Sequence, residues 1–133
     1  MKAAFAFALF AALAASPAQA DRVKTVSVYK GDFATVNSFV FSNGTSLVVM
    51  DVQRKANEAR KLAAMIKAMK LPLTHILISH GHTDHFTGMA VFREEFPDAK
   101  IVVANEDIKA DIKRYAIYMV SVVRTFGATR GVN

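Results

Sequence analysis

The chain has 133 residues, of which 53% are hydrophobic, a formal net charge of +6 and no cysteine. This length fits a single domain, and the lack of cysteine excludes disulfides, thiolate metal ligands and cysteine nucleophiles. The basic residues stand in short clusters, often beside acids, and no basic run is interleaved with aromatic residues, so a nucleic-acid groove is not expected.

Residues 1–20 are typical of a cleaved signal peptide. Met1-Lys2 gives a positive start, an apolar run extends from Ala3 to Ala15, and Ala18-Gln19-Ala20 offers small residues for cleavage. The apolar run is shorter than the ~20 residues that span a bilayer. We therefore expect a mature domain at residues 21–133, periplasmic or secreted, with no membrane attachment after cleavage.

The first part of the mature chain predicts strands. Val23–Tyr29 roughly alternates apolar and polar residues, as a half-buried strand does, and Phe33–Phe41 and Leu47–Met50 are further strand candidates. Between the last two, Ser42-Asn43-Gly44-Thr45 predicts a hairpin turn, because Asn-Gly tolerates the positive φ of a tight turn.

The apolar period then changes to that of a helix. From Arg54 to Lys70 apolar residues recur mostly at spacings of three and four, which predicts an amphipathic helix that Pro72 ends. Thr74–Ser79 is apolar on both faces at its centre, which predicts an interior strand.

The remaining elements alternate in the same way. A helix is predicted from Thr87 to Phe96, a buried strand over Lys100–Ala104, and a helix that Asn105 caps and that extends to about Tyr115. Ile117–Val123 is rich in β-branched residues and predicts a strand, whereas Arg124–Asn133 has no apolar period. This order predicts an α/β fold, with helices layered on a sheet.

Three of the four histidines lie within His80-Gly81-His82-Thr83-Asp84-His85, directly after the predicted interior strand. His80 and His82 stand two apart on an extended backbone, so both imidazoles can face one metal ion. Gly81 leaves room for the backbone to approach the metal or to turn. A turn after Thr83 would bring Asp84 and His85 to a second, adjacent ion.

Imidazole and carboxylate oxygen suit zinc, which lowers the pKa of bound water to ~7 and so provides hydroxide at neutral pH. Asp84 has two possible roles, as a ligand of the second ion or as the catalytic acceptor of a proton from water. A solvated polar loop is the alternative for the whole segment. The fourth histidine, His75, is expected to be structural, and Tyr115 and Tyr118 are expected to pack rather than to line a substrate groove.

The segment His80–Gly88 resembles the HxHxDH signature of the metallo-β-lactamase-fold superfamily, and Ile76–Ser79 resembles the strand that delivers it. Asp51 resembles an acidic position that supports the metal loop rather than binding metal. The resemblance extends from Val23 to Tyr115. It implies one half of a four-layer αβ/βα sandwich, with two zinc ions in a complete relative. Members hydrolyse β-lactams, thioesters, lactones, sulfate esters and phosphodiesters, and some are iron-dependent redox proteins.

The later histidines of that family have no counterpart, because none follows His85. Residues 21–133 are therefore expected to be a C-terminally truncated domain, or else to pair with a second chain or a second copy. We expect a zinc-dependent hydrolase of a small-molecule ester, thioester, lactone or β-lactam, impaired in this form, with one zinc ion or none. The alternative is a non-catalytic metal-binding remnant or interaction module, and self-association is expected of an exposed half-sandwich. An iron-dependent redox protein is disfavoured.

Overall fold

The computed structural model describes residues 22–32 and 36–127, the last six of these by their backbone alone. The predicted signal peptide at residues 1–20 lies outside the described residues, as does the end of the chain from residue 128. Among the described helices, none combines the length and the apolar character needed to cross a membrane.

Five strands form one sheet in the order β1-β2-β3-β4-β5. The first three strands are antiparallel neighbours, whereas β3, β4 and β5 are parallel. The elements are β1 Thr25–Lys30, β2 Asn37–Ser42, β3 Leu47–Met50, α1 Ala56–Ala68, β4 Leu73–Ile78, α2 Thr83–Phe86, α3 Met89–Glu95, β5 Lys100–Val103 and α4 Glu106–Gly127. The predicted layering of helices on a sheet is confirmed, with an antiparallel part that makes the class α+β.

The turn between β2 and β3 forms where the Asn-Gly pair predicted it. The Asn43 side-chain oxygen accepts hydrogen bonds from the backbone N–H groups of Thr45 (2.9 Å) and Ser46 (2.8 Å). Gly44 has a φ of 91°, a conformation that residues with a Cβ rarely adopt. This turn sets the register in which Ser42 pairs with Leu47.

One face of the sheet, the covered face, packs against α1 and α3. The predicted amphipathic helix is confirmed as α1, which buries Leu62 and Ile66 completely, and α3 buries Phe92. The strand side chains of the covered face are buried to 3% exposure or less: Val40, Leu47, Val49, Ile76 and Ile78. These residues form a single hydrophobic core.

The opposite face, here called the open face, is also apolar. Its side chains are found by register, starting from Val28 on β1, which pairs with Phe39, and continuing through Met50 and Leu77 to Val102 on β5. Val28 is 45% exposed and Val102 40% exposed. The apolar side chains of the open face are Val26, Val28, Phe39, Phe41, Val48, Met50, Leu77 and Val102, and the polar side chains of Lys30, Asn37, His75 and Lys100 lie on the same face.

Two sequence predictions were wrong in detail. Ile117–Val123 is not a strand, because α4 continues without a break from its capped start to Gly127, a span that also includes Arg124 of the predicted irregular tail. The preference of β-branched residues for strands is weak and yields to the context of a helix already begun. The helix predicted from Thr87 to Phe96 is confirmed as α3, Met89–Glu95, and the short helix α2, Thr83–Phe86, precedes it.

The strand predicted to be buried at Lys100–Ala104 is instead the edge strand β5. Its first three residues are exposed and Val103 is half-buried. An apolar run therefore correctly indicated a strand but not its burial, since an edge position and the open face both leave side chains accessible to water.

Candidate metal site

The site forms where the carboxyl ends of two parallel strands meet. Asp51 directly follows β3, and Ser79 and His80 directly follow the neighbouring strand β4. Asp51 is only 4% exposed and has a φ of 63°, and its backbone N–H donates to the Leu77 carbonyl oxygen (2.9 Å). A non-glycine residue in this left-handed conformation is strained, and such strain is concentrated at functional sites.

The segment Ser79–Gly88, which carries the histidine motif, is here called the metal loop. The Asp51 carboxylate accepts three hydrogen bonds from it. Its Oδ1 accepts from the Ser79 backbone N–H (2.9 Å), and its Oδ2 accepts from the Ser79 hydroxyl (2.8 Å) and from His85 Nδ1 (2.8 Å). Because a carboxylate only accepts, the His85 proton lies on Nδ1. The Nε2 atom of His85 is then left with a free lone pair.

Ser79 orients His80 in the same way. The Ser79 hydroxyl donates its proton to Asp51, so its oxygen can accept from His80 Nδ1, which is 3.0 Å away. This leaves Nε2 of His80 unprotonated. The pKa of His80 is lowered by burial and by the neighbouring imidazoles of His85 and His82, which further favours the neutral form that binds metals.

The histidines of the motif face one another. His80 Nε2 lies 3.2 Å from His82 Nδ1, and the rings of His80 and His85 are 3.9 Å apart between centroids. Two nitrogen ligands bound to one tetrahedral zinc at ~2.0–2.1 Å are about 3.4 Å apart. The 3.2 Å between His80 Nε2 and His82 Nδ1 is thus close to the separation of two nitrogens that share one zinc ion.

Asp84 lies at the other side of the cluster. Its Oδ2 is 3.7 Å from His85 Nε2, and both side chains are about a quarter exposed or less. The structure therefore brings together all four predicted metal-site residues, His80, His82, Asp84 and His85. Within the described part of the chain, however, no three histidine, aspartate or glutamate side chains are arranged to hold a single metal ion. His75 is not in the cluster, and its Nδ1 lies 3.0 Å from the Thr74 hydroxyl.

A second set of contacts fixes the far end of the metal loop. The backbone N–H of Val52 donates to the His85 carbonyl oxygen, and that of Gly88 donates to the Gln53 carbonyl oxygen, each at 2.8 Å. A Cβ on Gly88 would lie 2.0 Å from the Val52 carbonyl oxygen, so only glycine fits there. The loop is therefore held at both ends by the segment that follows β3.

Two of these residues were missed by the sequence analysis. Ser79 was assigned only to the strand, although a hydroxyl residue immediately before the first histidine is a detectable signal. Gln53 is 1% exposed, has a φ of 69° and donates from Nε2 to the Ser38 hydroxyl (2.8 Å). Nothing in its local sequence indicates that it connects the metal loop to β2.

The comparisons with known proteins agree with this geometry. The family model described as the metallo-beta-lactamase superfamily matches residues 31–114, which is more than half of the chain. The chain therefore belongs to the metallo-beta-lactamase superfamily. Proteins of this family usually bind zinc. A search of the curated proteins found no match.

Several solved structures share the fold. The BLEG-1 B3 metallo-beta-lactamase is 24% identical with a TM-score of 0.50, over 59% of this chain and 35% of that one. TMB-1 is 17% identical with a TM-score of 0.52, over 68% of this chain and 42% of that one. ETHE1 from Myxococcus xanthus is 18% identical with a TM-score of 0.51, over 61% of this chain and 36% of that one. The chain thus spans 35–42% of the length of these structures.

Proposed function

We propose that this chain carries the metal loop of a zinc-dependent hydrolase that acts on a small-molecule ester, thioester, lactone or β-lactam. The observation that supports this most strongly is the network from Asp51 through Ser79 to His80 and His85, which leaves both Nε2 atoms free as ligands. A carboxylate that orients metal-binding histidines in this way is a recurrent feature of zinc sites.

In this proposal His80 and His82 hold one zinc ion, and Asp84 and His85 contribute to a second. Zinc bound there supplies Lewis acidity and, at neutral pH, a hydroxide nucleophile from water. The Asp51 carboxylate keeps the His85 proton on Nδ1, and the Ser79 hydroxyl does the same for His80. Asp84, whose side chain is 24% exposed, either binds the second ion or accepts a proton from the attacking water.

The proposal is tested by zinc binding to the full chain, measured by competition with a chromogenic chelator. His82→Ala should weaken zinc binding at least about tenfold, because it removes one of two facing nitrogens. The control is His75→Ala, which removes the one histidine outside the cluster and should leave affinity unchanged. Equal zinc affinity in the two variants would disprove the assignment. Hydrolysis is then assayed on chromogenic β-lactam, thioester and lactone substrates.

A second candidate function is a metal-binding module without catalysis. It is favoured by the ligand count, since a catalytic zinc usually has three protein ligands plus water and the described residues offer no group of three around one point. This candidate predicts weak zinc binding without turnover of any substrate in the panel. Turnover that is lost in His82→Ala would exclude it.

We also propose that the protein is exported to the periplasm or secreted. The support is the sequence of residues 1–20, with its positive start, apolar run and small residues before Asp21. The open face supports a proposal of self-association, because apolar side chains extend across it from β1 to β5, half-buried at its centre and exposed at its two edges, and such a face favours contact with another protein surface. N-terminal sequencing of the exported form and sedimentation of the purified chain test these two points.

A further inference from the structure

The helix α4 passes directly against the metal loop. Asn105 caps its start, with its side-chain oxygen accepting from the Ile108 backbone N–H (2.9 Å). One turn further, Asp111 lies so close to Gly81 that a Cβ on this glycine would be 2.4 Å from the Asp111 Cβ. The glycine between His80 and His82 therefore makes room for α4.

In the next turn of α4, the ring of Tyr115 packs against His82, the second histidine of the motif. The ring of Tyr115 lies 5.8 Å from that of His82, with an angle of 88° between the planes, which is an edge-to-face contact. The guanidinium of Arg114 lies 5.4 Å from the Tyr115 ring and pairs with Asp111 at 2.8 Å. These contacts connect the Tyr115 ring to the same helix turn that packs on Gly81.

His82 differs from the other two histidines of the cluster in how it is oriented. His80 is held through Nδ1 by Ser79, and His85 is held through Nδ1 by Asp51. In the part of the chain that the structure describes, the His82 imidazole hydrogen-bonds to the His80 imidazole alone, that is, to the neighbour with which it would share the ion. No carboxylate or hydroxyl of the described residues fixes its ring, so the packing contact with Tyr115 is what restricts it.

We propose that Tyr115 is a positioning residue that holds the His82 imidazole towards His80, as Ser79 and Asp51 hold the other two histidines. This inference rests on the proposed zinc-binding function of the loop. It gives α4 a role in the metal site and separates Tyr115 from Tyr118, which lies on the same helix but is 61% exposed.

The test compares three variants of the full chain: Tyr115→Leu, Tyr115→Phe and, as a matched control, Tyr118→Leu. Zinc affinity is measured by chelator competition, and thermal unfolding is followed by circular dichroism. Tyr115→Leu should weaken zinc binding about threefold to tenfold, the range expected for loss of an aromatic pair. Tyr115→Phe keeps the aromatic ring and should bind zinc within about twofold of the wild type. Tyr118→Leu should also bind zinc within about twofold of the wild type.

Cobalt substitution adds a spectroscopic measure of ligand geometry. The visible bands of the cobalt-loaded chain should change in Tyr115→Leu and be retained in Tyr115→Phe. Equal affinities and equal spectra for Tyr115→Leu and Tyr118→Leu would overturn the proposal. So would a Tyr115→Phe variant as weak as Tyr115→Leu, because the ring edge would then not be the active element.

A metal-free measurement separates this inference from the proposed function. Nuclear Overhauser contacts between the rings of Tyr115 and His82 should be present in the wild type and in Tyr115→Phe without any metal. If the wild type binds no zinc, the proposed function fails, and these contacts still decide whether Tyr115 holds His82. Their absence would overturn the proposal whatever the zinc affinity.

Discussion

The two faces of the sheet are built from the same strands and have opposite surroundings. On the covered face Val40, Val49 and Ile76 are 0–1% exposed beneath α1 and α3, whereas on the open face Val28 and Val102 are 40–45% exposed. Both faces are apolar, so hydrophobic composition alone does not decide which one is buried. Burial of apolar area stabilises a fold at about 25 cal/mol per Å², and most of that stabilisation in the described residues comes from the covered face.

The metal loop depends on the covered side for its position. Asp51, Val52 and Gln53 are all buried to 4% exposure or less, and they hold the loop by hydrogen bonds to Ser79, His85 and Gly88. A site held by a buried segment should respond to damage of the core. It should be insensitive to substitutions on the open face.

The largest effect is expected from the centre of the covered face. Phe92→Ala removes a side chain with no exposed surface from the core cluster and should lower the free energy of unfolding by about 3–5 kcal/mol. Denaturant titration followed by circular dichroism measures this. A cost below about 1 kcal/mol would mean that the face beneath α3 is not a packed core.

The next effect tests the link between the covered face and the site. Asp51→Asn keeps the shape of the side chain, but an uncharged amide no longer offers two oxygens to Ser79 and His85. Zinc affinity should fall about tenfold to a hundredfold. Asp98→Asn, at an exposed turn, is the control and should bind zinc as the wild type does. The same affinity in both variants would contradict the role given to Asp51.

A third prediction concerns the hydrogen-bonded pair of Tyr29 on β1 and Glu58 on α1, which connects the covered face to the edge strand. The Tyr29 hydroxyl donates to Glu58 (2.6 Å), and Lys61 donates to the same carboxylate (2.6 Å). The hydrogen bonds from Lys61 and Tyr29 hold the pKa of Glu58 below its ordinary value of 4.5. Its stabilising contribution is therefore complete above pH 4.5 and is lost as the pH falls through the lower pKa of the folded state.

The measurement for this pair is the free energy of unfolding of wild type and Glu58→Gln at several pH values. The variant should be the less stable protein at pH 6, and the difference should shrink below pH 4.5. A difference that stays constant from pH 6 to pH 3 would show that the ionised carboxylate does not stabilise the fold.

The smallest effect is expected on the open face. At a concentration too low for self-association, Val28→Ser should change the free energy of unfolding by no more than about 0.5 kcal/mol, because the side chain is accessible to water in the single chain. The same variant should retain the zinc affinity of the wild type. A large destabilisation would mean that the open face is covered in solution, by a second copy or by residues outside those described. Sedimentation at two protein concentrations then distinguishes these two possibilities, because only a cover formed by a second copy depends on concentration.

The parts of the fold that could be read from the sequence are those that local spacing determines. The period of apolar residues predicted α1, the Asn-Gly pair predicted the turn at Gly44, and Asn105 was recognised as a cap. The motif from His80 to His85 also predicted which residues gather, because all of them lie within six positions on one strand end. In each case the interacting residues are near neighbours in the chain.

Tertiary structure decided the rest, since the decisive contacts join residues that are far apart in sequence. Asp51 reaches His85 across the β3–β4 edge, and Tyr115 reaches His82 only because α4 folds back over Gly81. Ile117–Val123 is helical because α4 continues through it, although β-branched residues are more common in strands. The continuous apolar runs of Leu47–Met50 and Ile76–Ile78 determined by themselves that the centre of the sheet has two apolar faces. Only the packing of α1 and α3 determined which of them is the core.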